Sequence, residues 1–273
     1  GPDGSLHLLS VRTWQIVKVA PDGSFVPVVG SGKSGRGALG DPTKADVAPN
    51  CFVIAPDGTM YIGENHGSGG SAAIPPRVLR LPPGGQLEAL PQPSWGTGDV
   101  VGVALGPAGE VYAYFDNPGT PGAGEVWRMA PGAPARLAAG LSAGNYGDLV
   151  ARPDGTLVAS EQDGGRIVSI PAGGGAPTVI AGATGPAPTR GLLAPSALAL
   201  GPDGTLYVAD YATTLIHALR PDGRFEPYAG SQAALQDGDV TTFAINGPGG
   251  LAFDAEGRLL IGEAGSGTVK RFD

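Results

Sequence analysis

The chain has 273 residues, a formal net charge of −8, 48 Gly, 27 Pro and a single Cys. With only 4 Lys beside 13 Arg and no basic run, nucleic acid is a poor main partner, because neutralising phosphates needs clustered cations. One cysteine excludes an internal disulfide and any multi-cysteine metal site, and no stretch has the apolar length of a membrane span.

In chain order, the elements are copies of one phrase. "GPDGSLHLLS" at 1–10 is a truncated copy. It is followed by "FVIAPDGTMYIGE" at 52–64, "VALGPAGEVYAYF" at 103–115, "LVARPDGTLVASE" at 149–161, "LALGPDGTLYVAD" at 198–210 and "LAFDAEGRLLIGE" at 251–263. Their turn glycines, Gly4, Gly58, Gly109, Gly155, Gly204 and Gly257, stand at intervals of 54, 51, 46, 49 and 53 residues. A period near 50 built from short apolar runs marks an array of small sheets. The Gly and Pro excess, which would otherwise read as low complexity, is explained by the many hairpins of such an array.

The copy starting at Ser196 shows the internal order most clearly. "SALAL" is an apolar run, and "GPDG" is a turn with Pro where φ is fixed and Gly where φ is positive. "TLYVAD" alternates, "YATT" connects, and "LIHAL", the turn "RPDG" and "RFEPYAG" follow. Four short strands, A to D, form an antiparallel meander; no segment carries a helical period. The repeats fall at about 1–49, 50–99, 100–146, 147–195, 196–248 and 249–273. The first lacks strand A and the last stops before strand D, which leaves six B, six C, five A and five D strands. Six repeats of four strands predict an all-β, six-bladed β-propeller in one domain; a solenoid usually has shorter repeats and capping ends. The chain starts inside a turn, so the inner strand that should pair with "SLHLLS" is expected upstream, in a longer polypeptide.

Strand direction alternates, so the short A–B and C–D turns share one face. The B–C and D–A connections share the other and are longer: 65–76, 91–99, 115–124, 182–195 and 230–248. Variable loops on a rigid scaffold usually carry binding residues. The B strands end in Ser10, Glu64, Phe115 followed by Asp116, Glu161, Asp210 and Glu263. These acids either cap the strand end against loop N–H groups or form a carboxylate ring that draws a cation or a basic ligand. Trp14, Trp95, Tyr146, Tyr211 and Phe243 lie in the same loops, either covering blade junctions or offering faces, beside the carboxylates, to a sugar or a basic, apolar partner. Trp127, within a C strand, is expected in the core.

Other chemistry finds little support. His7 and His217 fall mid-strand and His66 in a loop, so three imidazoles do not converge on a zinc ion. "GSGKSGRG" at 30–37 lacks phosphate-loop spacing and precedes no helix. "GSGGS" at 67–71 is a flexible tip, and Cys51 is a small buried residue of an A strand.

The phrase "PSALALGPDGTLYVADYATTLIHALRPDG", together with "APNCFVIAPDGTMYIGENHG" and the glycine-rich lead-in "VVGSGKSGRGALGDPTKADVAPN", resembles the NHL repeat, and the resemblance covers essentially the whole chain. It implies a six-bladed propeller that acts as a protein-, glycan- or RNA-binding platform or a bacterial sensor domain; for this chain a protein, glycan or small ligand is expected at the loop face, in an extracytoplasmic or secreted place. The Ala, Gly, Pro and Arg excess fits a GC-rich bacterial gene. The ligand-facing residues expected are Trp14, Asn50, Glu64, Trp95, Asp116, Tyr146, Asp148, Glu161, Asp210, Tyr211 and Glu263, with no cofactor. More distantly the blades resemble gluconolactonase-type propellers. That likeness implies an alternative: a hydrolase, lactonase or lyase with Ca, Zn or Mn held by Asn50, Asp148 and Asp210. Fold alone does not choose between the two.

Overall fold

A computed structural model describes residues 1–35, 37–65, 75–93, 95, 98–117, 122–144, 146–182, 192–230 and 245–272. The fold is all-β. Its 22 strands among the described residues form six antiparallel sheets, each in meander order, the blades of a six-bladed β-propeller. No helix among these residues is long and apolar enough to cross a membrane. His66, Phe243 and the "GSGGS" tip lie outside the described residues.

The chain divides into two compact units, Gly1–Leu137 and Ala138–Asp273. The first holds β1 (His7–Ser10), β2 (Gln15–Val19) and β3 (Phe25–Val29) of blade 1. Blade 2 is β4 (Pro49–Ile54), β5 (Met60–Glu64), β6 (Val78–Leu81) and β7 (Glu88–Ala89). Blade 3 is β8 (Asp99–Leu105), β9 (Val111–Asp116), β10 (Gly124–Ala130) and β11 (Ala135–Leu141). The second unit takes the end of β11 and blade 4: β12 (Leu149–Ala151), β13 (Leu157–Glu161), β14 (Arg166–Ile170) and β15 (Thr178–Gly182). Blade 5 is β16 (Pro195–Leu200), β17 (Leu206–Asp210), β18 (Leu215–Leu219) and β19 (Phe225–Ala229). Blade 6 is β20 (Pro248–Phe253), β21 (Leu259–Glu263) and β22 (Thr268–Phe272). Blade 1 thus lacks strand A and blade 6 strand D, as the repeat count predicts.

The turns explain the phrase. All six turn glycines have φ between +76° and +85°, the left-handed region that other residues occupy only at a cost. In the four copies that have an aspartate before the glycine, its side chain closes the turn. Asp57 accepts the N–H and hydroxyl of Thr59 at 2.8 and 3.0 Å, and Asp203 accepts those of Thr205 at 3.0 and 2.8 Å. The Thr or Ser two residues on is therefore part of the same device, an Asx turn.

The core lies as slabs between consecutive blades. Ile16, Val29, Met60, Ile62 and Leu79 fill the space between blades 1 and 2, and Val78, Trp95, Val100, Phe115 and Met129 that between blades 2 and 3. In the second unit Val158, Ile167, Leu198 and Val208 join blades 4 and 5, and Ile216, Ile245, Ile261 and Phe272 join blades 5 and 6. Strand A carries a bulge at the same place in four blades, between Pro49 and Cys51, Val100 and Gly102, Pro195 and Leu198, and Pro248 and Gly250. A bulge leaves backbone groups unpaired, and those groups become anchors between blades.

Candidate functional site

The acids that end the B strands are buried and act as clasps. Glu64, Glu161, Asp210 and Glu263 fasten the lead-in to strand A, and several also hold the start of strand C. Glu64 accepts the Ala48 N–H at 3.3 Å and pairs with Arg77 at 2.6 and 3.1 Å. Glu161 accepts the Ser142 N–H at 2.7 Å and pairs with Arg166 at 2.5 Å. Asp210 accepts four backbone N–H groups, from Leu193, Ala194, Ala212 and Thr213, at 2.7–3.2 Å. Glu263 takes the Asn246 N–H, the hydroxyls of Ser266 and Thr268, and Lys270 at 3.0 Å. In blade 3 the ladder sets Asp116 opposite Asp99, as Glu64 stands opposite Pro49. Asp116 is therefore that blade's equivalent, and Phe115 turns into the core. Carboxylates satisfied in this way lower the free energy of the loop backbone.

The polar residues of the A strands reach across to the next blade. Asn50 donates its amide to the Val100 carbonyl at 3.1 Å, and the Cys51 thiol lies 3.5 Å from the same oxygen. Asp148 accepts the Leu198 N–H at 2.8 Å and the Leu149 N–H at 2.7 Å. The Ser160 hydroxyl donates to the Ser196 carbonyl at 2.6 Å, and Ser196 to the Pro248 carbonyl at 3.0 Å. Asn50, Asp148 and Ser196 thus tie their strands about one repeat onward. Among the described residues no group of three or more His, Cys, Asp or Glu is placed to hold a metal ion. Of the residues named for a cation, Asn50 has its amide nitrogen engaged by the Val100 carbonyl, and Asp210 accepts three N–H groups on one oxygen and one on the other. Asp148 retains acceptor capacity. Burial pushes its pKa up to about 7, against the pull of the N–H groups of Leu198 and Leu149.

The aromatics separate into two groups. Trp95 is 5% exposed, stacks on Phe115 at 5.4 Å and donates its indole N–H to the Pro76 carbonyl at 2.9 Å. The expectation that it presents a binding face is corrected: its ring covers the junction of blades 2 and 3. Trp127, expected in the core, packs on that cluster while half-buried. Trp14 is half-buried at φ +53°, a position that Gly165 and Gly267 fill in blades 4 and 6. Tyr146 and Tyr211 behave differently. They lie in the D–A connection before blade 4 and the B–C turn of blade 5, and their rings are parallel within 7° with centroids 5.8 Å apart. Tyr146 is 58% exposed and Tyr211 41%, with Leu193 beside Asp210 at 64%.

The local chain shapes this surface. Gly247 has φ +61°, and a Cβ there would stand 3.0 Å from Cε2 of Tyr211, so the glycine lets the ring lie against the backbone. Gly144, two residues before Tyr146, has φ +64° and sits under the side-chain oxygens of Asp163 and Gln162. Tyr211 is also fixed by its N–H to the Ala194 carbonyl at 3.0 Å. Of the eleven residues expected to face a ligand, these two tyrosines are brought together as an exposed surface. Leu193, Asn246 and Gly247 join them there unforeseen; a glycine beside a loop aromatic was the one signal available.

His217 is 4% exposed in β18, and neither ring nitrogen has a hydrogen-bond partner; the ring stacks on Phe225 at 5.0 Å. His7 is half-buried in β1.

No family model matches the chain, and no curated protein does. Solved structures do. An auxiliary nutrient binding protein of Bacteroides ovatus superposes with a TM-score of 0.71 at 14% identity, over 99% of this chain and 66% of that one. The virginiamycin B lyase of Staphylococcus aureus superposes at 0.60 and 16% identity, over 100% and 85%. A gluconolactonase of Xanthomonas campestris superposes at 0.53 and 16% identity, over 76% and 65%. Identities this low carry the fold and leave the function open. The chain is a six-bladed β-propeller, similar to proteins that bind and to proteins that catalyse.

Proposed function

We propose that this chain is a non-catalytic binding module that holds a small ligand or the end of a larger one on the loop face of blades 4 and 5. The observation that carries this reading is the exposed, parallel Tyr146–Tyr211 pair. Large apolar faces held rigid in water supply contact area at small entropic cost. The acids that a catalytic reading would use are engaged with backbone and arginine partners, which favours binding over hydrolase or lyase chemistry. The likeness to nutrient-binding propellers accords with this and with a place outside the cytoplasm of a bacterium.

A thermal-shift ligand screen on the wild type and on a Tyr146→Ala/Tyr211→Ala variant tests it. A ligand that raises the wild-type Tm and leaves the double variant unmoved is the expected result. A divalent-ion-dependent activity that is lost in Asp210→Asn and kept in the tyrosine variant would overturn it in favour of the enzyme.

A further inference from the structure

We infer that the ligand of the Tyr146–Tyr211 surface is a neutral carbohydrate, an identification that rests on the binding reading above. The ring spacing comes first. Stacked rings with centroids 5.8 Å apart leave no slot for a third ring between them, so a ligand packs on an outer face of the stack. A pyranose ring offers one face of C–H bonds, which packs on an aromatic face while its hydroxyls point outward at the rim. The rim here is polar. Asn246, exposed with its amide lying over Gly265, directly precedes Gly247, the residue under the Tyr211 ring; Asp163 is exposed with its carboxylate over Gly144, two residues before Tyr146. Among the described residues neither side chain makes a hydrogen bond, and neither phenol hydroxyl does. An amide and a carboxylate together donate to and accept from adjacent hydroxyls, the pattern that a polyol needs and a hydrocarbon does not.

Charge removes the competitors. The chain carries −8, the free charge at this rim among the described residues is the Asp163 carboxylate, and the nearby Arg166 is held by Glu161. A phosphate or nucleotide would meet repulsion there, with no free cation among those residues to offset it. A quaternary ammonium ion is best held inside an aromatic cage, whereas a stacked pair offers single outer faces.

Isothermal titration of cellohexaose, maltohexaose, xylohexaose and chitohexaose, with choline and AMP as charged probes, tests the inference. At least one hexasaccharide is expected to bind saturably, with little dependence on salt. Its Kd should rise about tenfold or more in Tyr146→Ala and in Tyr211→Ala, severalfold in Asn246→Ala, and little in Tyr211→Phe, which keeps the stack. Both tyrosines are exposed, so the variants should keep the wild-type Tm within a few degrees, which a melting curve checks. If no hexasaccharide binds, or if one binds equally well to both alanine variants, the inference is overturned. Tyrosine-dependent binding of choline or AMP with no glycan bound also overturns it but leaves the binding surface standing. Ligand binding that ignores both tyrosines sinks the surface as well.

Discussion

His217 occupies a register position filled by Val17, Leu79 and Val168 in blades 1, 2 and 4. Its neighbours are apolar strands, and both ring nitrogens are buried without partners. Water would have satisfied them in the unfolded chain, so folding forfeits those hydrogen bonds, a cost of about 1–3 kcal/mol per unsatisfied group. Leucine has a similar volume and no polar atoms. His217→Leu is therefore expected to raise stability by about 1 kcal/mol at pH 8, the gain tempered by loss of the stack on Phe225. A urea titration checks this; a midpoint at or below that of the wild type would mean that the imidazole has a partner or a role after all.

The four-residue B–C turns of blades 1, 4, 5 and 6 share one backbone path whose last residue has positive φ: Trp14 at +53°, Gly165 at +57°, Thr214 at +57° and Gly267 at +68°. Two blades use glycine there, and two force a side chain into the left-handed region. A β-branched residue suffers most, by about 1–2 kcal/mol. Thr214→Gly should thus raise the Tm by a few degrees, less the entropy that glycine adds to the unfolded chain; a fall in Tm would show that the Thr214 hydroxyl bond to the Thr213 carbonyl outweighs the strain. Elements of this kind were readable in the sequence because their causes are local. The turn glycine, the aspartate before it and the alternating run after it lie within a few residues, so strand number and order follow from the phrase. The site was less legible because its partners are remote. Asn50 meets Val100 and Asp148 meets Leu198, each 50 residues on, and nothing near Asp148 announces that its carboxyl serves the next blade. Trp95 reads as a loop aromatic until its ring is seen stacked on Phe115. Tyr146 and Tyr211 are 65 residues apart in the chain, and only the packing of adjacent blades makes them a pair.

Three sets of groups pull the stability of the whole molecule in different directions as pH changes. The turn carboxylates form the first. N–H and hydroxyl bonds from Ser24, Thr59, Thr156 and Thr205 hold Asp22, Asp57, Asp154 and Asp203 below the usual carboxylate range. Their contribution is present above the unfolded value of 3.8 and is lost as pH falls through the lowered folded values,. Asp148 has the opposite sign. Burial raises it to about 7, so between about 4 and 7 the native state holds a proton that the unfolded state has released, and stability falls as pH rises across that window. His217 is the third. Burial holds its pKa below the ordinary 6.5, so stability falls as pH drops below 6.5, where the unfolded imidazole takes a proton that the folded one refuses. Asp148 and His217 therefore oppose each other over much of the same range, and they share no hydrogen-bond partner, so their effects should add. Removing either one exposes the other. Between pH 6.5 and 4.5 the His217→Leu protein is expected to gain stability as pH falls and the Asp148→Asn protein to lose it, while the double variant shows the smallest slope of the set. Below pH 3.8 all four proteins should lose stability together, because the turn aspartates remain in each. Urea midpoints taken at half-unit steps from pH 8 to pH 3 would read both limbs. Parallel profiles for the two single variants between pH 6.5 and 4.5 would show that neither group titrates as its surroundings dictate.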